Sequence, residues 1–370
     1  MGLPLEGVRV LEISQMLAAP GTAMYLGDLG AEVTKVEPLW GEQARHGMGR
    51  AFLVLNRNKK DIALDLTKPE GLEVAQRLIR QNDVLIHNFR PGVAERLGIG
   101  YEAARAINRG IVYAHLTGYG PVGPFANLPG YDRIIQGVTG IMAASPLVNG
   151  VPTPAAIWPA DCTAPLLLAY GITAALLARE KTGEGRLVEA SVFNAAIAVQ
   201  GPQMVFVDSE EPAAQDSFQA TYHVYRAADG RYFNIVVLNE KEWHNLCRAL
   251  DIEHLATDPS FASVAKRAQH WTELYPILVA LFDTKPAAEW LELLPAAGVP
   301  CGPIVTRSEV FGQEQVRVNG MMLEVDHPEA GHTRMTGVPL NFPGTPARVP
   351  SPSPLLGQHF ITMLLAGVAL

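Results

Sequence analysis

Cysteine is scarce in this chain of 370 residues: Cys162, Cys247 and Cys301 stand far apart, in no CxxC or CxxH pairing. That spacing excludes a disulfide framework and a zinc site, implies no metal, and suits a reducing compartment. Charge is thin as well. Asp, Glu, Lys and Arg together make 18% of the chain, against a usual ~25%. The balance excludes disorder and coiled coil, and implies that much of the surface is covered, as in a subunit interface. There is no basic excess: 37 acids face 29 bases, a net charge of −8, which argues against nucleic acid or an anionic membrane as partner. No apolar run reaches the ~20 residues that span a bilayer. The longest, Thr163 to Ala178, is 16 residues, holds Pro165 and Gly171, and reads as a buried core helix. The opening MGLPLEGVRVLEIS lacks the apolar stretch of a signal peptide, and Glu6 stands where N-myristoylation wants Ser or Thr. The expectation is a soluble cytoplasmic protein that meets any anionic ligand with a local basic patch.

What the chain does have is apolar mass, 48% of it, enough for about two cores at roughly 150 residues per domain. Residues 8–13 (VRVLEI) read as a strand, and Pro20-Gly21 opens a small-residue helix to about Gly30. Further strands are expected at 32–37, 62–66, 83–89 and 111–116, with Thr67 capping a helix that has Pro69 in its first turn. Strands alternating with helices at this spacing indicate βαβ units and a mostly parallel, Rossmann-like sheet. No GxGxxG follows the first strand, so a dinucleotide site has no fingerprint. After a strand near 187–192, residues 207–220 are polar and turn-rich, a linker. Beyond it YHVYRAADGRYFNIVVL reads as a hairpin turning at Asp229-Gly230, the start of a smaller α+β domain over 221–320. The tail from Pro339 to Pro354 is proline-rich and extended.

Three places carry chemistry. The run 45–60, RHGMGRAFLVLNRNKK, holds five Lys/Arg and no acid; it is either a phosphate cradle or a solvated loop. Asn88-Phe89-Arg90-Pro91-Gly92 ends a buried-type strand, where open parallel sheets bind ligands, and an aromatic beside Arg suits an adenine; the plain alternative is a strand-ending turn. Asp161 opens a very apolar helix. It is either an N-cap or, with Thr163 taking the cap, a free carboxylate whose proton affinity the apolar surroundings raise. Cys162 is a rival nucleophile, ranked lower because no His or Lys stands near it in sequence.

Together these segments resemble the class III CoA-transferases, the family that includes carnitine CoA-transferases, formyl-CoA transferases and 2-methylacyl-CoA racemases. The matching pieces are PLEGVRVLEIS, AAPGTAMYLGDLGAEVTKVE, NRNKKDIALDLTKPEG, DVLIHNFRPGVAERLG, LTGYGPVGPFANLPGYDRIIQGVTG, PAD, GITAALLAREKTGEGRLVEASV, VPCGPI and PLLGQHF, in order over most of the chain. The resemblance implies a Rossmann-like large domain (1–206) completed by the C-terminal segment 321–370, a small domain, and two ring-shaped subunits interlocked as a homodimer. It implies coenzyme A or an acyl-CoA as substrate and Asp161 as nucleophile, with backbone N–H groups at the adjoining helix start holding the oxyanion. Gln15, Met16, Leu64, Asn88, Phe89 and Arg96 match positions that contact CoA. Thirty residues before Asp161 the racemases carry a His as second base; here the position is Tyr131, a poor partner for α-proton removal at neutral pH. Transfer of CoA to a carboxylic acid is therefore the expected activity, with racemization and non-catalytic CoA binding as alternatives. Pro38 and Leu17 stand where the formyl-CoA branch has Arg and Gln, so formate and oxalate are not expected substrates and a less polar acyl group is.

Overall fold

The computed structural model describes residues 2–208, 219–345 and 350–365. The chain forms two compact units, Met1–Val205 with Arg317–Leu370, and Phe206–Val316. Most of the expected linker, residues 209–218, lies outside the described residues, as do 346–349 of the proline-rich tail.

The first unit is built on six strands: β1 (Arg9–Ile13), β2 (Glu32–Glu37), β3 (Lys59–Ala63), β4 (Val84–His87), β5 (Val112–Thr117) and β6 (Leu187–Ser191). All five pairings are parallel, in the order β3-β2-β1-β4-β5-β6. Alternate residues feed two cores. Val10, Val33, Ile86 and Val112 pack under the helices Ala18–Asp28 and Pro159–Thr182. Leu11, Leu85 and Tyr113 pack on the other face against Ala75, Leu78 and Ile79 of the helix Pro69–Gln81. Burial on both faces is what makes the strands read as continuous apolar runs. The first helix is rich in small residues because the long one lies against it: a Cβ on Gly21 would sit 3.1 Å from the Pro165 ring.

Several details depart from expectation. β3 begins at Lys59, not Ile62, because the last lysines of the basic run enter the sheet. Thr67 caps nothing; its N–H and hydroxyl both donate to Asp65 Oδ1, and Lys68 stands at the N-cap. The long helix runs Pro159–Thr182 with Trp158 at its N-cap, so neither Asp161 nor Thr163 is the cap. At 24 residues it is long and apolar enough to cross a membrane by length and composition; Ala164, Leu168, Ile172 and Ala175 on one side are buried in the core.

The second unit has an antiparallel sheet of β7 (Tyr222–Arg226), β8 (Tyr232–Val236) and β9 (Cys301–Pro303). Its first hairpin turns at Asp229-Gly230, with Gly230 at φ 78°. Trp243, Phe233, Phe282 and Trp290 fill its core. The first unit also carries the hairpin β10 (Met322–His327) and β11 (Gly331–Thr336). Its C-terminal segment runs along β3: Asn58 and Ser351 exchange hydrogen bonds, and His359 does so with the Asp61 backbone.

Candidate active site

The strand order reverses direction between β1 and β4, so the crevice at their carboxyl ends is where this architecture places ligands. Asn88, just past β4, bridges it: Oδ1 accepts the Gln15 N–H at 3.1 Å and Nδ2 donates to the Gln15 carbonyl at 2.7 Å. Two cavities flank the bridge and share Gln15 and Phe89 in their walls. One, of about 240 Å³, is an apolar slot over β1–β3 lined by Ile13, Val36, Leu64 and Trp40. The other, of about 410 Å³, is walled by Met16, Leu17, Asn88, Arg90, Tyr131 and Asp161.

The loop between the cavities is held under strain. Met16 lies at φ 72°, a left-handed conformation costly for any residue but Gly, Asn or Asp. Its N–H donates to Glu42 Oε2 at 2.7 Å, and Glu42 is fixed in turn by the fully buried Lys35 at 3.0 Å. Lys35 and Lys59 both pair with Glu12, at 2.8 and 2.7 Å. A buried ionic cluster therefore sets the position of the first loop.

That cluster disposes of the phosphate-cradle reading of residues 45–60. Lys59 is consumed by Glu12, Arg57 by Asp28 at 2.6 Å, and Arg45 by Glu37 at 2.7 Å. Three of its five cations, Arg45, Arg57 and Lys59, turn inward onto an acid from β2, the first helix or β1, partners too distant in sequence to be read, while Arg50 and Lys60 stay at the surface.

Asp161 sits in the first turn of the long helix. Burial, and secondarily the charge of Asp132, push its carboxyl up to about 7. Cys162 beside it, though an exposed residue, is a poor nucleophile: partial desolvation of its thiol and then the Asp161 and Asp132 carboxylates raise it, which suppresses the reactive thiolate. The helix-start N–H groups are not free to hold an oxyanion, against expectation. Asp132 Oδ2 accepts those of Ala160 and Asp161 at 3.0 and 3.1 Å, and Cys162 N–H reaches the Trp158 carbonyl. The helix Ala18–Asp28, in contrast, has no side-chain cap and no acid in its first turn, and Leu17 and Ala18 line the cavity of Asp161.

The profile of CoA-transferase family III matches residues 5–360. The chain belongs to that family. It is 34% identical over 370 residues to a succinyl-CoA:glutarate CoA-transferase of Mus musculus, covering 96% of this chain and 84% of that one. It is 32% identical over 369 residues to a succinyl-CoA–D-citramalate CoA-transferase of Chloroflexus aurantiacus, covering 96% and 92%. A CAIB/BAIF family protein of Brucella suis has a solved structure that superposes over 100% of both chains at TM-score 0.88 and 30% identity. Family III membership supports an enzyme that works on acyl-CoA.

Of the residues that the family resemblance singles out, seven converge: Gln15, Met16, Leu64, Asn88, Phe89, Tyr131 and Asp161 all line the two cavities. Arg96 does not. It is exposed at the end of the short helix Val93–Arg96 and lines neither. Sequence reasoning passed over Asp132, Glu42 and Leu17's neighbour Ala18 as site residues. Asp132 had one available signal, its place beside Tyr131.

Proposed function

We propose that this family III member is an acyl-CoA:carboxylate CoA-transferase that works through an aspartyl-CoA thioester on Asp161, as an interlocked homodimer. The observation that carries the reading is the half-buried carboxylate of Asp161, in a cavity that shares Gln15 and Phe89 with a neighbouring apolar slot. The slot, with Leu64 and Phe89, suits the adenosine end of CoA, and the larger cavity its thioester end.

The chemistry is carboxyl exchange. A carboxylate oxygen of Asp161 attacks the donor's thioester carbon, the C–S bond breaks, and CoA leaves as thiolate, giving a mixed anhydride. The thiolate attacks the aspartyl carbon and expels the donor acid. The acceptor carboxylate then attacks the aspartyl-CoA carbon and expels thiolate, which takes the acceptor's acyl carbon and frees Asp161. Thioester energy is conserved at each step provided water is excluded. Partial burial helps, since a carboxylate with a raised proton affinity is the stronger nucleophile. Arg90 is the cationic residue lining this cavity, and with relatives named for succinyl-CoA and glutarate it favours a dicarboxylic substrate over the less polar acyl group that Leu17 suggested. Tyr131 in place of a second base weighs against racemization.

The test has two parts. Purified enzyme with succinyl-CoA is screened against mono- and dicarboxylates, with products read by mass spectrometry. It is then incubated with the donor and trapped with hydroxylamine. Hydroxamate at Asp161, and loss of nearly all turnover in Asp161→Asn with CoA still bound, are the expected results. An adduct on Cys162, or a working Asn variant, removes Asp161 from the mechanism.

A further inference from the structure

We propose that Asp132 is the positioning residue for Asp161: it clamps the helix turn that carries the nucleophile, and its buried negative charge favours the neutral, acylated form of Asp161 over the free carboxylate. The inference rests on Asp161 being the nucleophile.

Asp132 is 4% exposed. One oxygen, Oδ2, takes the N–H groups of both Ala160 and Asp161, 28 and 29 residues further along the chain. The other, Oδ1, accepts from Gln136 Nε2 at 2.5 Å. Gln136 is itself fully buried and uses its Oε1 to take the Ala155 N–H at 2.9 Å. The pair thus pins the segment entering the long helix at two points. Every partner is a neutral donor. Among the described residues no Lys, Arg or His forms an ion pair with Asp132.

A neutral Asn would keep the clamp on the helix start, since Asn and Asp cap helices about equally, and would lose only the bond from Gln136 Nε2. A buried carboxylate held by N–H groups alone, with no cation beside it, is costly, and holding the helix start does not require its charge. Its nearest titratable neighbour of consequence is Asp161. An ionised Asp161 repels it across a poorly screened interior. Once Asp161 is an anhydride or thioester it carries no charge and the repulsion is gone. Asp132 therefore raises the energy of the free nucleophile and not of the covalent intermediate.

Other titratable groups lie near the turn. Tyr131 precedes Asp132, Cys162 follows Asp161, and Arg90 lines the cavity wall. Tyr25 on the first helix lies within electrostatic reach of Cys162. The helix Val192–Ala198, also packed on the long helix, has no titratable residue; β5 and β6 bring Tyr113, His115 and Glu189, the last two at 3.8 Å from each other. After burial, Asp132 is the group that holds the Asp161 carboxyl up.

The experiment compares wild type with Asp132→Asn as full-length enzyme. The acidic limb of kcat/KM for CoA transfer reports ionisation of Asp161 in free enzyme. Removing the like charge lets Asp161 ionise at lower pH, so the limb should move down by about one pH unit. The fraction of enzyme trapped as Asp161 hydroxamate at steady state should fall several-fold. Asp132→Ser, a shorter uncharged cap, reads the same limb should the Asn variant not fold. An unchanged limb and an unchanged trapped fraction in a folded variant reduce Asp132 to a structural clamp and overturn the proposal. A wild-type enzyme that gives no hydroxamate at Asp161 overturns the nucleophile reading instead, so the two failures are distinguishable.

Discussion

At the scale of single residues the site trades stability for reactivity, and Asp161 shows the sign of the trade. Its carboxyl titrates near 3.9 in an unfolded chain and at about 7 in the folded one. Between those values the native state binds more protons than the unfolded state, so stability from this group falls as pH rises from about 4 to 7 and stays lost above. Asp161→Asn abolishes the effect while keeping the shape. The variant should be more stable than wild type at pH 8, by about 1–2 kcal/mol once partial solvent access is allowed for, and equal to it near pH 4. Denaturant midpoints at both pH values check this, and a variant no more stable at pH 8 would contradict a strained ground state. Asn88-Phe89 stood out because it ends a buried-type strand at the edge where parallel sheets bind ligands, Asp161 because it opens a very apolar helix, and Tyr131 only through the family resemblance. Asp132 did not, because its meaning depends on the fold bringing two helix starts together across 29 residues.

At the scale of elements, local pattern located the strands and tertiary electrostatics moved their edges. β2 spans the expected 32–37. β3 starts earlier than its apolar residues suggest, since Lys59 is buried there against Glu12, and a lysine reads as surface until its partner is known. The same blindness made residues 45–60 look like an anion cradle. The Arg57–Asp28 pair is the sharpest test. Its two bonds measure 2.9 and 2.6 Å, both side chains are 1% exposed, and Asn58 donates to the same carboxylate. Arg57→Ala strands Asp28 in the interior and should cost about 3–5 kcal/mol. Arg50 in the same run is exposed, and Arg50→Ala should stay within about 0.5 kcal/mol of wild type. Equal, small effects in urea unfolding would return the run to the surface and reopen the phosphate reading.

At the scale of the whole molecule, the long helix presents the outstanding demand. Its inner side fills the sheet's core, while Leu166, Tyr170 and Leu177 stand on the other side, Tyr170 at 74% and Leu177 at 66% exposed in the single chain. With residues at i, i+4 and i+11 falling on one face, this is an apolar stripe and not a scatter of single side chains, and stripes of this kind mark an interaction surface. A low charge content points the same way. A second copy of the chain is the proposed cover, in the interlocked dimer that the family resemblance implies, and a threaded dimer has no route to a folded monomer without unfolding. Sedimentation at micromolar concentration should therefore give a dimer with no detectable monomer, and dilution should not release one. Tyr170→Asp with Leu177→Asp places two charges in the interface; the expected result is loss of soluble dimer with loss of the cooperative unfolding transition, not a stable monomer. A folded, monomeric double variant would show that the helix face closes an ordinary, separable interface, and a wild-type chain that sediments as a folded monomer would leave the stripe without a second copy to cover it. Partition of the wild type into lipid vesicles would assign the same stripe to a bilayer.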